Sequence, residues 1–317
     1  MRSAVESLRT EFATSPFRTC FQAEGFPVSG AVSFPLIESE YALHAQRYRH
    51  WIENRKHGEM QYLARGLDRR LNPRLVFPGL KTVFTVLKPY SPHPVGDESL
   101  RYARYLNGPD YHESMKAGLG RALEAIRNSA GMPRDFDYKI CVDTSAVLER
   151  TWAELCGLGW IGKNTLLIHP QLGSYVFIGV VFTNLESGFR PKKMKDYCGP
   201  CTRCLGACPT EALAPHDLDS RKCICYLTLE KRGPWDQTFD TKGFIAGCDL
   251  CQEVCPYNTK AVKYIPDPGV VPELVTDSAI LEAETEAQYL DRVRDSALSR
   301  IRYADFRRNL AGRRGGS

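Results

Sequence analysis

The sequence predicts an α+β chain, a mixed helix-and-strand region followed by a ferredoxin-like domain with two iron–sulfur centres. Three observations predict it. Cys198, Cys201, Cys204, Cys208 and Pro209 follow C-x2-C-x2-C-x3-C-P, and Cys248, Cys251, Cys255 and Pro256 repeat its last part. Upstream of these runs, helical and β-rich stretches alternate. The composition, 43% hydrophobic over 317 residues, is enough to bury an ordinary core in two domains. The predicted divisions are 1–185 for the mixed region, 186–260 for the cysteine domain and 261–317 for a linker and basic C-terminal tail.

The elements follow in order. Residues 42–64 carry aromatic and aliphatic side chains at helical spacing. Residues 82–90, TVFTVLKPY, read as a β-rich run that stops at prolines. Residues 97–128 read as two helical stretches broken at Gly108-Pro109. A short strand is expected over 136–144, then a helix over 145–157 closed by Gly157. Residues 165–170 and 175–184 read as strands, the second apolar enough to be buried on both faces. Past the cysteines, IPDPGVVPEL reads as a proline-rich linker.

The cysteine spacing carries chemistry. C-x2-C-x2-C-x3-C-P is the bacterial ferredoxin run, in which three thiolates reach one [4Fe–4S] cubane and the fourth serves the other. The assignment is therefore crossed. Cys198, Cys201, Cys204 and Cys255 hold one cluster. Cys208, Cys248 and Cys251 hold the second, with the eighth ligand left open between Cys223 and Cys225 by spacing alone. Zinc sites use separated C-x2-C pairs instead, and disulfides need an oxidising compartment. The N-terminal residues have no apolar export region, so a cytoplasmic protein with reduced thiols is expected. Cys20, Cys141 and Cys156 lie outside the pattern and read as core residues. GLGWIG at 157–162 fits G-x-G-x-x-G, but a helix precedes it and a strand follows. A dinucleotide site needs the reverse order, so the glycines read as a tight turn or close backbone approach.

Net charge is only +5, but it is unevenly spread. Arg190, Lys192, Lys193, Lys195 and Arg203 flank the first cysteine run, and eight arginines crowd residues 292–314. Two basic stretches suit a polyanion; the alternative is solvated helix surface. No stretch approaches a membrane span.

Taken with these motifs, VDTSAVLERTWAELCGLGWIGKNTLLIHPQLGSYVFIG, CICYLTLE, GCDLCQEVCPYN, DSALSRIRYADFRRN, GEMQYLARGLDRRLNPR and the DYH at 110–112 resemble the epoxyqueuosine reductase family. The resemblance covers nearly the whole chain in the family's order. The chain stops after the arginine-rich tail, where many members continue into a helical-repeat extension, and Cys225 stands where a non-cysteine is expected.

The resemblance implies a cobalamin-binding α/β domain similar to the nitroreductase scaffold, joined to the ferredoxin-like domain. It implies reduction of epoxyqueuosine to queuosine at the tRNA wobble position by a monomer, with electrons from an external one-electron donor. It places Cys223 as the eighth ligand and Asp143 as proton donor. As a general acid Asp143 would need a pKa above the roughly 3.9 of a free aspartate, which burial beside a corrin face would favour. Read without the family, Asp143 is a helix N-cap. Gly159, Trp160, Lys163, Asn164, Asp143 and Tyr111 are the implied cobalamin contacts, with His112 alongside Tyr111. Lys192, Lys193, Lys195, Arg203, Arg300, Arg307 and Arg308 are the candidate tRNA contacts. None of the seven histidines sits in a D-x-H-x-x-G cobalt-binding pattern. Two other functions compete: a two-cluster electron carrier with no corrin or tRNA affinity, and a corrinoid reductive dehalogenase, a class usually exported.

Overall fold

The computed structural model describes residues 16–235, 240–261 and 274–313. In chain order the first part comprises α1 (Pro16–Ala23), β1 (Val28–Ser33), α2 (Glu38–Glu53), α3 (Gln61–Arg65), α4 (Leu67–Leu71), β2 (Thr82–Pro89), β3 (Val95–Asp97), β4 (Leu100–Tyr102), α5 (Tyr111–Arg127), β5 (Tyr138–Cys141), α6 (Glu149–Leu155), β6 (Trp160–Ile161), β7 (Leu167–Ile168) and β8 (Val176–Thr183). Four of the strands form one antiparallel sheet in the order β1-β2-β8-β5.

Strand side chains alternate between faces, and both faces are covered. Val83 and Leu87 of β2 join Val180 and Phe182 of β8 under α2 and α6, around Tyr41 and Trp152. Phe84 and Val86 turn the other way, with Val181, against Phe17 and Phe21 of α1 and Met115 and Leu119 of α5. The central strands are thus apolar on both faces, as expected. Cys141 and Cys156 are buried in this core.

Three expectations change. The helix expected over 42–64 breaks after Glu53, because Arg55 and Gly58 take left-handed backbone and turn the chain. Residues 97–102 are not helical: β3 and β4 form a hairpin whose turn is held by Asp97 Oδ1, which accepts from Ser99 N at 2.7 Å and Leu100 N at 3.1 Å, and only a 3-10 turn, Arg104–Leu106, follows. The C-terminal segment is not a loose tail.

The cysteine part carries a β9–β10 hairpin (Leu213–Ala214, Asp217–Leu218) after α7 (Arg203–Gly206). α8 (Ile224–Leu229), β11 (Phe244–Ala246), α9 (Leu250–Glu253) and α10 (Pro256–Ala261) follow. Then come α11 (Ser278–Ala283), α12 (Glu286–Val293), a 3-10 turn (Ala297–Arg300) and α13 (Tyr303–Gly312). Thr285 and Gln288 close a capping box at the start of α12. Leu281, Tyr289, Leu298 and Phe306 of this segment pack with Tyr102, Leu106 and Ile245 in a third core. The proline-rich linker falls largely outside the described residues.

Candidate functional site

Two thiol clusters and one acid–imidazole pair make up the site. Cys198 and Cys201 lie on the loop entering α7, Cys204 lies within α7, and Cys255 lies just past α9, 51 residues downstream of Cys204. All four line one cavity of ≈ 110 Å³, with Lys163, Asn164, Arg203, Tyr197 and Tyr257. The other set also assembles. Cys223 lies beside Cys208, Cys248 beside both, and Cys251 beside Cys248 and Cys223, each close enough to raise its neighbour's pKa on top of the effect of burial. Cys225 is close enough to Cys223 and Cys248 for their charge to add to the upward push of burial on its thiol. Cys223 is the N-cap of α8 and Cys225 sits inside its first turn, so their side chains leave the helix in different directions. The crossed grouping expected from spacing is the one the fold brings together.

The thiols fit cubanes. Among the described residues no group of three or more His, Cys, Asp or Glu side chains converges on a single ion; the first four thiols ring a cavity instead. Trp160, 1% exposed, packs against Cys198 and Cys255, and its buried indole N–H points at the Cys198 thiol, where it opposes the upward push of burial on that group. A donor aimed at sulfur chemistry suits an iron–sulfur centre, where N–H groups hydrogen-bond cluster or cysteine sulfur. Lys163 Nζ donates to Gly199 O at 2.6 Å and Cys201 O at 2.9 Å, pinning the first cysteine loop.

These placements regroup the implied cobalamin contacts. Trp160, Lys163 and Asn164 belong to the wall of the first thiol cavity. Gly157 ends α6 in left-handed backbone, as expected. Gly159 lets two strands touch: a Cβ there would sit 2.3 Å from Ile168 O. The glycines serve close packing and not a phosphate. Asp143 and Tyr111 belong to a different constellation.

That constellation starts at the N-terminus of α5. Asp110 caps the helix, its Oδ1 accepting from His112 N at 2.9 Å, and the same oxygen accepts from His112 Nδ1. This fixes the imidazole, which is 2% exposed and stacks on Tyr111 at 3.9 Å between centroids; Tyr111 stacks in turn on Phe177 at 4.1 Å. The other ring nitrogen, Nε2, meets Asp143 Oδ2 at 2.9 Å. Arg300 reaches in from the C-terminal segment, with Nη1 3.3 Å from the same oxygen and Nη2 3.0 Å from His112 Nε2.

Asp143 is not a helix cap. α6 begins six residues later, and Asp143 adopts φ 53°, a left-handed backbone that costs roughly 1–2 kcal/mol for a residue with a Cβ. Its side chain is half-exposed. The expectation of a raised pKa is also overturned. Burial pushes the carboxyl up, but the hydrogen bond and charge of His112 and the charge of Arg300 outweigh it and hold it below its ordinary value. The raised carboxyl is Glu149, at the start of α6. Burial pushes it up to about 8, and its Oε1 is buried without a partner.

The candidate tRNA contacts divide. Lys192, Lys195 and Arg203 are exposed; Lys193 lies 3.7 Å from Glu154. Arg300 is in the acid–imidazole constellation. Arg307 donates to Leu281 O at 3.0 Å and Glu282 O at 2.7 Å. Arg308 donates to Lys231 O at 3.0 Å and Leu227 O at 2.9 Å. Both are structural ties: Arg307 joins helices within the C-terminal segment, and Arg308 holds that segment against the cysteine domain. Sequence reading missed Asp110, Glu149 and the catalytic-side placement of Arg300. An Asp two residues before a histidine at a helix start was the available signal for Asp110.

Comparison with known proteins completes the description. A profile described as "4Fe-4S double cluster binding domain" matches residues 197–258, and one described as "Epoxyqueuosine reductase QueG, DUF1730" matches residues 70–144. The chain is 35% identical to the epoxyqueuosine reductase of Cyclobacterium marinum over 292 residues, covering 90% of this chain and 92% of that one. It is 39% identical to that of Synechocystis sp. over 290 residues, covering 87% and 96%. The solved structure of epoxyqueuosine reductase from Streptococcus thermophilus aligns with a TM-score of 0.76 at 27% identity, over 94% of this chain and 79% of that one. An epoxyqueuosine reductase solved with an epoxyqueuosine-modified tRNA-Tyr stem loop aligns with a TM-score of 0.75 at 25% identity, over 94% and 79%.

Proposed function

The chain belongs to the epoxyqueuosine reductase family, and we propose that it removes the epoxide oxygen of epoxyqueuosine in tRNA to give queuosine. The reaction consumes two electrons and two protons and releases the oxygen as water. The observation that carries the reading is a half-exposed carboxylate 2.9 Å from a buried imidazole, in a chain that also gathers two groups of cysteines.

Cobalamin, on which the family depends, fits the residues on this side of the molecule. Asp143 and the exposed ring of Tyr62 present polar groups to open space, and the Glu149 carboxyl is protonated at neutral pH with one oxygen unpartnered. Amide-bearing corrin side chains offer acceptors for such donors. Both nitrogens of His112 are engaged, so the constellation presents no free imidazole to cobalt. Asp143, Tyr111 and Glu149 are the residues that would hold the group. Bound cobalamin supplies a low-valent cobalt for the two-electron step at carbon, and the clusters relay electrons singly.

The protein's own part is proton delivery and positioning. Asp110 holds the Nδ1 proton, so neutral His112 has Nε2 free as an acceptor. The 2.9 Å contact with Asp143 is then a hydrogen bond only when one more proton lies between Nε2 and Oδ2. That proton is the deliverable one. Asp143 is its exposed end and His112 its buried store; Arg300 steadies the carboxylate once the proton has gone.

Arg300 lies on the substrate side and is 46% exposed, so it is free to meet an anticodon phosphate as well. The discriminating experiment follows conversion of epoxyqueuosine in a tRNA stem loop by mass spectrometry, with the cluster- and cobalamin-loaded protein and a chemical reductant. Wild-type conversion is expected; an intact, fully loaded enzyme that converts none would refute the assignment.

A further inference from the structure

The cations around the first cysteine run stand apart from the acid–imidazole constellation. Lys192, Lys195 and Arg203 are exposed, and Lys192 and Arg203 make no ion pair among the described residues. Lys195 lies 5.2 Å over the ring of Tyr197, which is itself 48% exposed. Tyr197, Arg203 and Lys163 line the cavity ringed by Cys198, Cys201, Cys204 and Cys255. This thiol set is therefore close to solvent: in the loop that carries it, Asp196, Tyr197, Gly199, Pro200, Thr202 and Arg203 are all exposed.

The second set lies deeper and nearer the reactive side. Its ligands sit at the start of α8, where Ile224, Tyr226, Leu227 and Thr228 are buried, and around α9, where Asp249 is 1% exposed. Cys251 of this set adjoins Cys204 of the first. Tyr105 adjoins Cys225 on one side and Asp143 and Tyr111 on the other, its ring 6.4 Å from that of Tyr111. From the cationic rim the order runs first set, second set, Tyr105 and then Asp143, which is open to solvent on its own side.

We propose that the rim formed by Lys192, Lys195, Arg203 and Tyr197 is the docking surface for the electron donor, and that the donor is a small acidic protein carrying a one-electron centre. The proposal rests on the reductase reading. A donor must come close to the outermost cluster, and the rim offers positive charge with an exposed aromatic anchor at its centre, which suits an acidic protein face. The modified nucleotide has to reach Asp143, at the other end of the series. Each turnover oxidises two donor molecules by one electron each, takes up two protons and releases the epoxide oxygen as water.

The test uses the cluster-loaded chain with Lys192→Glu/Lys195→Glu, and flavodoxin hydroquinone as the acidic donor. Stopped-flow bleaching of the clusters is expected to slow by about 10-fold or more at low salt, with a flatter dependence on ionic strength, because charge steering of this kind sets association rates. Lys192→Ala/Lys195→Ala should give a smaller loss in the same direction. Bleaching by dithionite and affinity for the tRNA stem loop should stay at wild-type values. An unchanged flavodoxin rate in both variants overturns the proposal. So does a fall in tRNA affinity with flavodoxin reduction intact, which would make the rim an RNA surface. Dithionite-driven conversion of epoxyqueuosine by the wild type reads the reductase assignment separately, so the two failures cannot be confused.

Discussion

Asp143 Oδ2 lies 2.9 Å from His112 Nε2, and this makes the residue-scale predictions sharp. Asp143→Asn keeps the size of the side chain and loses the carboxyl. Single-turnover conversion with pre-reduced enzyme should fall about 10²–10⁴-fold, the usual loss with a general acid, while both clusters and tRNA affinity are retained. A rate within a few-fold of wild type would remove Asp143 from proton delivery. Glu149 gives a second prediction, in stability. Its folded-state pKa of about 8 lies above its ordinary 4.5, so the folded protein binds more protons than the unfolded chain between those values. Stability therefore falls as pH rises from roughly 4.5 to 8. Glu149→Gln should flatten that slope in a Tm-against-pH series on the cluster-loaded protein; an unchanged slope would assign it to other groups. At this scale the sequence was half legible. Asp143 was found through family resemblance, but the sign of its pKa shift was not. That sign comes from Arg300, 157 positions away, and from a histidine whose orientation depends on a helix cap.

The C-terminal helix is tied to a ligand-bearing helix. Asn309 Nδ2, on α13, donates to Thr228 O at 2.7 Å and Ile245 O at 2.9 Å, and Arg308 donates to Leu227 O. Thr228 closes α8, the helix that Cys223 caps. Asn309→Leu would leave two buried carbonyls unpaired, each costing about 1–3 kcal/mol. The expected outcome is a lower Tm and loss of the deeper cluster, with iron falling from about eight to about four per chain. Retention of all the iron would mean that α8 is held by its own packing. Elements with strong periodicity were legible here, namely α5, β2 and β8. Residues 97–102 were not, because they fold as a hairpin once Tyr102 and Leu100 find the third core. The arginine-rich segment misled for a related reason. Arg307 and Arg308 spend their donors on backbone carbonyls, which no charge count reveals.

Across the whole molecule, the doubled cysteine run was the most legible feature, since its spacing alone gave the crossed grouping. The partition into a mixed domain, a cysteine domain and a tail was less so, because the third core draws on β4, β11 and the C-terminal helices together. Crossing has a measurable signature. Cys255→Ser should damage the cluster held by Cys198, Cys201 and Cys204 and spare the one held by Cys208, Cys223, Cys248 and Cys251, as read by EPR of the partly loaded protein. The opposite pattern would mean an uncrossed arrangement. Cys225→Ser should keep about eight irons, whereas Cys223→Ser should not. The same crossing also bears on biogenesis. In the crossed arrangement the outer cubane takes its last ligand from Cys255, so a nascent chain that has emerged only as far as Cys208 presents four cysteines destined for two different centres. Neither centre can then close until the ribosome has released the chain past α9, and iron delivery to this protein must wait for that point of synthesis.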